Sequence, residues 1–212
     1  NFDGTLLNAL AYHFKNTNQK VENGFGYLVH RIDKDTTGLM IVAKNETAQT
    51  VLAKQFFEHS ITRRYQALVW GDFADEEGTI EGHIGRSTKD RVAMAVYPDG
   101  SQGKSAVTHY KVLEHFNYVT LVECRLETGR THQIRVHMQS LGCPVVGDEK
   151  YGKKQDGTQV KNPLGRLGLH ASRIEFVHPI NKEVMSFNAP LPPAFKEILD
   201  KLCRQYGVDL TV

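Results

Sequence analysis

The chain has 212 residues, and its 26 Lys and Arg against 24 Asp and Glu leave a formal net charge of +2 at pH 7. This length fits one domain with a substantial core, and the small net charge excludes a polybasic nucleic-acid coat, so a nucleic-acid site must be a local patch. No apolar run approaches the ~20 residues of a membrane span. The three cysteines contain no CxxC pair, which favours a reducing cytoplasm over a disulfide framework.

Two helices and a buried strand are predicted in the N-terminal part of the chain. Asp3 is the candidate N-cap of a helix over 4–14. The apolar run at 39–43 predicts a buried strand, and Asn45 is the candidate cap of a helix over 46–58. The inner faces of these helices are predicted to carry Leu6, Leu7, Leu10 and Phe14 in the first, and Ala48, Val51, Leu52 and Phe56 in the second.

Short strands dominate the rest of the chain. Residues 62–70 alternate, with Tyr65, Ala67 and Val69 on one side. A helix over 131–141 ends at Gly142, and another runs from Pro192-Pro193 to Gly207. Without strict alternation of strands and helices, the pattern predicts an α+β fold with a mixed, mainly antiparallel sheet and flanking helices. Further strands are predicted near 79–84, 91–97, 105–114, 118–127, 167–177 and 183–188.

A charged loop that leads into an apolar segment is the first candidate functional site. It spans His30–Leu39 and has the sequence HRIDKDTTGL. Loops held by a rigid scaffold often carry function, and a cation such as Arg31 could keep the Asp33 carboxylate ionised. The alternative is an ordinary turn in which Asp33 or Asp35 accepts hydrogen bonds from backbone amides.

A glycine followed by a helix start is the second candidate. Residues 127–137 have the sequence ETGRTHQIRVH. Free amides at a helix N-terminus favour anions, and Arg130 and Arg135 add charge for a carboxylate or phosphate. The alternative is an amphipathic helix with solvated arginines. His132 and His137 are five residues apart, which is not the i, i+4 spacing of a helical metal pair, so no metal site is expected.

Basic residues beside an aromatic residue form the third candidate. Arg63 and Arg64 next to Tyr65 could hold phosphate and stack a base, or could belong to an edge strand with a half-buried tyrosine. No GxxxxGK[ST] or GxGxxG motif occurs, so no nucleotide cofactor is expected. The polar segment 149–166 is predicted to be a loop, either solvated or in contact with RNA phosphates. Its lysines are Lys150, Lys153, Lys154 and Lys161.

Together these segments resemble the RluA-type family of pseudouridine synthases. His30–Leu39 is similar to that family's HRLDxxTSGL signature, with Ile32 for Leu and Thr37 for Ser. The residues of these motifs resemble most the branch of the family that modifies large-subunit ribosomal RNA. That branch carries an N-terminal S4-like domain and an NKPxG strand, so residues 1–212 are expected to form a catalytic domain without its usual start. Five further elements match in order: the basic residue and Tyr at 64–69, GRTHQIRVH at 129–137, GDEKYG at 147–152, LGLHA at 167–171 and HP at 178–179.

The resemblance implies isomerisation of uridine to pseudouridine in a central RNA cleft, without cofactor, metal or obligate protein partner. The expected substrate is ribosomal RNA, with tRNA as the second possibility. Asp33 matches the catalytic Asp, Arg135 the arginine that pairs with it, and Tyr65 the tyrosine that stacks on the target uracil. Arg31 matches the residue that enters the place of the flipped base, and Leu169 an apolar wall against that base. Contacts to the RNA backbone, or support of neighbouring groups, are expected from Arg130, His132, Arg63 and Arg64.

Two other functions remain open from the sequence. One is a non-catalytic RNA-binding or ribosome-assembly module on the same scaffold. The other is a glycosidase or nucleosidase, which needs a second carboxylate beside Asp33, and Glu127 is the nearby candidate within a motif. Asp35 is expected to be structural, because a turn would separate its carboxylate from that of Asp33.

Overall fold

The computed structural model describes residues 3–24, 26–152, 154–155, 158–159, 162 and 164–210. No helix within these ranges combines the length and apolar character that a bilayer crossing requires. The elements are α1 (Leu6–Asn16), β1 (Tyr27–Leu28), β2 (Thr37–Gly38), β3 (Val42–Ala43), α2 (Glu46–Phe57), β4 (Thr62–Trp70), β5 (Glu77–Arg86), β6 (Met94–Tyr97), β7 (Lys104–Phe116), β8 (Val119–Leu126), α3 (Gln133–Ser140), β9 (Lys154–Gln155), β10 (Thr158–Gln159), β11 (Leu169–Val177), β12 (Val184–Asn188) and α4 (Pro193–Tyr206).

One large sheet organises the molecule. Its strand order is β12-β11-β4-β8-β7-β5-β6, and all of these neighbours are antiparallel. The short strand β2 pairs in parallel with β11, while β1 with β3 and β9 with β10 form two small antiparallel sheets. The predicted class, α+β with a mixed, mainly antiparallel sheet, is confirmed.

Strand β4, inside the large sheet, contributes buried side chains to the hydrophobic core on both faces of the sheet. It spans the predicted residues 62–70 and is hydrogen-bonded to β8 on one side and β11 on the other. Tyr65, Ala67 and Val69 are buried on the face that α3 covers, as the alternation predicts. Leu68 points to the opposite face, where Phe195 of α4 packs. A strand enclosed in this way holds Tyr65 on a rigid support.

Two predicted helix-end signals are confirmed. The Asn45 side chain accepts a hydrogen bond from the Ala48 amide over 2.8 Å at the start of α2. Gly207 ends α4 with a φ of 67°, a left-handed conformation that glycine adopts without steric cost.

The prediction for the first helix is wrong at its start and on its face. Thr5, and not Asp3, is the N-cap: the Thr5 hydroxyl accepts from the Asn8 amide, and the Asn8 side chain accepts from the Thr5 amide. These reciprocal bonds form a capping box, which fixes the helix start two residues later than predicted. Leu6 and Leu7 are exposed and Leu10 is half-buried, so only Phe14 of the predicted inner face is buried.

The predicted strand at 39–43 is also shorter than expected, since only Val42–Ala43 pairs as a strand. Before it, the chain crosses from the large sheet to the small one. The Ile41 amide leaves the ladder and donates to His30 Nε2 over 2.8 Å. Gly38 has a φ of 105°, and a Cβ there would lie 2.1 Å from the Ala171 carbonyl oxygen, so this close crossing requires glycine.

Helix α3 buries a histidine against the sheet, and this residue gives a pH-dependent prediction. His137 is fully buried, and its Nδ1 lies 2.9 Å from Thr108 Oγ1. Burial lowers the pKa of His137 to about 4. Between pH ~6.5 and ~4 the unfolded chain binds a proton that the folded chain does not. The free energy of unfolding is therefore expected to fall as the pH falls through this window, by about 1.4 kcal/mol per pH unit for this group.

Urea unfolding at a series of pH values from 7 to 4.5 measures this dependence. His137→Gln keeps a polar partner for Thr108 but does not titrate. In this variant the slope of the free energy of unfolding against pH should be smaller by about 1.4 kcal/mol per pH unit, which corresponds to one proton. Equal slopes for the two proteins would show that His137 is not the titrating group.

Candidate active site

Segments that are distant in sequence meet at a cavity of about 470 Å³. The loop around Asp33 forms one side, β4 and the start of β11 form the base, and the turn leading into α3 forms the other side. The rigid sheet thus holds the three candidate segments around a single cavity. Of the residues predicted for the site, those that line it are Arg31, Asp33, Arg63, Tyr65, Arg130, His132 and Leu169.

The loop at 30–36 places Asp33 toward the cavity. The Thr36 amide donates to the Asp33 carbonyl over 3.0 Å, which closes a turn at Lys34-Asp35. Asp35 is exposed, and it is not among the residues that line the cavity. The turn therefore separates the two carboxylates, as the sequence predicted.

Arg135 contacts Asp33, but its main partner is Asp148, for which the sequence predicts no role. Its Nη1 lies 3.3 Å from Asp33 Oδ2. Its Nε and Nη2 donate to the two carboxylate oxygens of Asp148 over 2.6 and 2.9 Å, a bidentate pair. The Asp148 side chain is fully buried and also accepts from the Lys150 and Tyr151 amides. Asp148 thus fixes the guanidinium, which leaves Nη1 to face Asp33.

Tyr65 and Leu169 lie side by side at the base of the cavity. Tyr65 on β4 pairs with Cys124 of β8 and Ala171 of β11, and Leu169 pairs with Ala67, two residues along from Tyr65. Both side chains are buried on the same face of the sheet. Burial raises the pKa of the Tyr65 hydroxyl, so the ring stays neutral at pH 7. The aromatic ring of Tyr65 and the aliphatic side chain of Leu169 thus line the same cavity as Asp33.

Arg63 and Arg64 are neighbours in the sequence but have different surroundings. Arg63 lines the cavity, lies over the Phe56 ring at 5.6 Å and donates to the Glu127 carbonyl over 3.0 Å. A Cβ at residue 129 would lie 2.6 Å from Arg63 Nη1, so Gly129 leaves room for the guanidinium. Arg64 instead pairs with Glu123 over 2.5 Å and does not line the cavity. Of these two neighbours, Arg63 is therefore the one that brings a positive charge to the cavity, which Arg31 and Arg130 also line.

His30 supports the loop that carries Asp33. Its ring stacks on Phe56 at 4.6 Å, and its Nε2 accepts from the Ile41 amide. Burial, and next the charge of Arg63, lower the pKa of His30 to about 4, so it is neutral at pH 7.

Helix α3 has no side-chain cap at its start, which agrees with the prediction of free helix amides there, while the Gln133 side chain closes the turn before the helix. The Gln133 side-chain oxygen accepts from the Arg130 amide over 2.9 Å and from the Thr128 hydroxyl over 2.8 Å. Arg130 also donates through Nε to the Ser105 carbonyl. His132 is the N-cap residue, with a φ of 57°, and its Nδ1 lies 2.7 Å from the Tyr151 hydroxyl. Ser105 and Tyr151, which do not line the cavity, thus hold the side chains of Arg130 and His132 at its edge.

Comparison with known proteins connects this geometry to one family. The model of the family described as RNA pseudouridylate synthase matches residues 7–140. An uncharacterized RNA pseudouridine synthase of Bacillus subtilis is 46% identical over 202 residues, covering 94% of this chain and 63% of that protein. A ribosomal large subunit pseudouridine synthase D of Vibrio parahaemolyticus is 44% identical over 217 residues, covering 97% and 65%.

The chain belongs to the RNA pseudouridylate synthase family. It spans less than two thirds of the length of these curated relatives. Its fold matches the structure of human RNA Pseudouridylate Synthase Domain Containing 1 with a TM-score of 0.74 at 30% identity, covering 100% of this chain and 89% of that one.

Glu127, the second carboxylate that a glycosidase would need, is not placed for that role in this RNA pseudouridylate synthase family member. Its side chain lies 2.6 Å from His109 Nε2, and it does not line the cavity. Among the described residues, Asp33 is the sole carboxylate in the lining. A hydrolytic mechanism with two carboxylates flanking one bond therefore has no second group at this cavity.

Two of the predicted lysines lie outside the described residues of this family member, namely Lys153 and Lys161, and the same holds for the side chain of Lys154. Lys150 is described, and its ammonium group donates to the Val92 carbonyl over 2.9 Å. In the described part of the chain, no three His, Cys, Asp or Glu side chains are grouped as a metal site.

Proposed function

We propose that this family member isomerises uridine to pseudouridine in RNA, with residues 1–212 acting as the catalytic domain. The single observation that carries the proposal is the grouping of Asp33, Tyr65 and Leu169 at one cavity, with Arg135 fixed behind Asp33. One carboxylate, one flat aromatic ring and one apolar wall suit a reaction on a base that has left its stack.

The proposed reaction conserves all atoms of the nucleotide. The N1–C1′ bond breaks, the uracil turns, C5 bonds to C1′, and the C5 proton is lost while N1 gains a proton. Asp33 serves as nucleophile at C1′ or C6, or as base at C2′. Tyr65 stacks on the uracil and Leu169 confines it, while Arg31 at the cavity rim enters the place that the base leaves.

Ribosomal RNA is the proposed substrate, and a reducing cytoplasm the proposed compartment. The support for the substrate is that several relatives at 41–44% identity carry the name ribosomal large subunit pseudouridine synthase D. Transcripts of large-subunit rRNA and of tRNA, labelled with tritium at uridine C5, test it, because formation of the C5–C1′ bond releases the label to water. Release from the rRNA alone is expected, and release from tRNA alone would contradict the substrate assignment.

Arg63 and its neighbour Arg64 offer a matched pair for the RNA contacts. The guanidinium of Arg63 lines the cavity and is the one of this pair placed to meet a phosphate of the target nucleotide, whereas Arg64 is paired with Glu123. Arg63→Gln is expected to weaken RNA binding. It should also reduce the magnitude of the slope of log affinity against log salt concentration by about 1, the value for one lost phosphate contact. Arg64→Gln should leave the slope unchanged. Binding titrations at several salt concentrations measure the two slopes. Equal slopes for Arg63→Gln and Arg64→Gln would refute the role of Arg63.

A further inference from the structure

The Tyr151 hydroxyl joins the edge of the sheet to the start of α3. Tyr151 is buried, and its oxygen lies 2.8 Å from the Met94 amide of β6 and 2.7 Å from His132 Nδ1. The Tyr151 ring also meets the His132 ring edge-on and lies under the Arg135 guanidinium at 5.0 Å. One side chain therefore touches two residues of the candidate site without lining the cavity itself.

The hydrogens of this contact can be assigned by counting donors and acceptors. The Met94 amide has only a hydrogen to give, so the Tyr151 oxygen accepts from it. If the hydroxyl hydrogen points to His132 Nδ1, that nitrogen is an acceptor and the ring proton lies on Nε2. If Nδ1 instead carried the proton, the buried hydroxyl hydrogen would have no acceptor among the described residues. The contacts therefore favour the Nε2–H tautomer.

Burial of the imidazole favours the neutral form of His132 at pH 7. Burial is the largest cause that lowers its pKa; Asp33 opposes this, Arg135 and Lys150 add to it, and Asp148 opposes it. The Tyr151 hydroxyl is itself kept protonated, because burial raises its pKa. A neutral imidazole with its proton on Nε2 has one donor, and no described residue accepts from it.

We propose that Tyr151 is a positioning residue that holds His132 as the Nε2–H tautomer, so that His132 offers an uncharged N–H donor to an oxygen of the target nucleotide. The identity of that acceptor rests on the proposed function. The ring of His132 lines the cavity, and the backbone of this residue is fixed at the N-cap of α3. Tyr151 sets which nitrogen carries the hydrogen, and His132 makes the contact.

The tautomer is measured directly by long-range ¹H–¹⁵N NMR on the labelled protein at pH 7, without RNA. Comparison with a His132→Gln spectrum assigns the ring signals. In the wild type, Nδ1 is expected to show the shift of an unprotonated nitrogen and Nε2 that of a protonated one. In Tyr151→Phe, which keeps the ring under Arg135, the two tautomers should become mixed. A protonated Nδ1 in the wild type, or an unchanged spectrum in Tyr151→Phe, would overturn the proposal.

A pair of substitutions at His132 tests the donor itself. The left-handed φ of this residue suits Asn better than Gln, so a purely structural role predicts that His132→Asn is the milder change. The Gln amide reaches the Nε2 position and supplies a donor there, so kcat/KM for pseudouridine formation is expected to fall about 3-fold in His132→Gln and about 10-fold in His132→Asn. The reverse order would overturn the donor role. A wild type that forms no pseudouridine would refute the proposed function, while the NMR result would still decide the tautomer.

Discussion

Asp33→Asn is expected to lower the rate of pseudouridine formation by about 10⁴-fold or more, while RNA binding changes by less than about twofold. The amide keeps the shape of the side chain in its turn but can act neither as nucleophile nor as base. Arg135 retains its bidentate contact with Asp148 in this variant, so the cavity should keep its structure. Single-turnover assays on RNA with uridine tritiated at C5, together with binding titrations, measure the two effects separately.

The matched control is Asp35→Asn, two residues along the same loop. Asp35 is exposed and outside the cavity, and its backbone carbonyl, not its carboxylate, accepts from Arg166. This variant should turn over at the wild-type rate within about twofold. Equal losses in the two variants would show that the loop conformation, and not the Asp33 carboxylate, carries the reaction.

Asp148→Asn is expected to lower the free energy of unfolding by about 3 kcal/mol and to slow the reaction by about 100-fold. The Asp148 carboxylate is fully buried and holds two nitrogens of Arg135, whose side chain is 12% exposed. Losing the negative charge leaves a buried cation with Asp33 as its remaining carboxylate partner at 3.3 Å. The guanidinium should then turn toward Asp33 and disturb the geometry at the reacting carboxylate.

Glu123→Gln is the control for this prediction, because it breaks an ion pair of similar length near the surface. The Arg64–Glu123 pair is partly exposed, so its loss should cost about 1 kcal/mol or less. Urea unfolding of both variants and the wild type gives the two differences. A cost in Asp148→Asn no larger than that in Glu123→Gln would contradict the role assigned to the buried pair.

Local signals in the sequence predict much of the fold because they depend on near neighbours. The alternation at 62–70 defines β4 in full, and Asn45 and Gly207 mark helix ends that the structure confirms. The failures occur where a tertiary contact competes with the local signal. Residues 39–41 have the apolar character of a strand, but the Ile41 amide bonds to His30 because the chain passes between two sheets there.

The candidate site likewise contains residues that the sequence predicts and a contact that it does not. The resemblance to a family brings Asp33, Tyr65 and Leu169 together, and all three line the cavity. The sequence does not predict the pairing of Arg135 with Asp148. This contact forms because the chain turns back after α3, and no local pattern indicates that turn. The burial of Arg63 is predictable from the sequence. Residues two apart in a strand lie on the same face, so the alternation that buries Tyr65 also buries Arg63.

The most direct test of an isomerase centred on Asp33 is a nucleoside analysis of large-subunit rRNA after incubation with the wild type and with Asp33→Asn. Digestion and chromatography quantify pseudouridine, uridine and free uracil in the same sample. We expect pseudouridine to appear at the expense of uridine with the wild type alone, and no free uracil. Release of free uracil would instead identify a hydrolytic enzyme, and pseudouridine formed equally by Asp33→Asn would show that Asp33 is not the catalytic group.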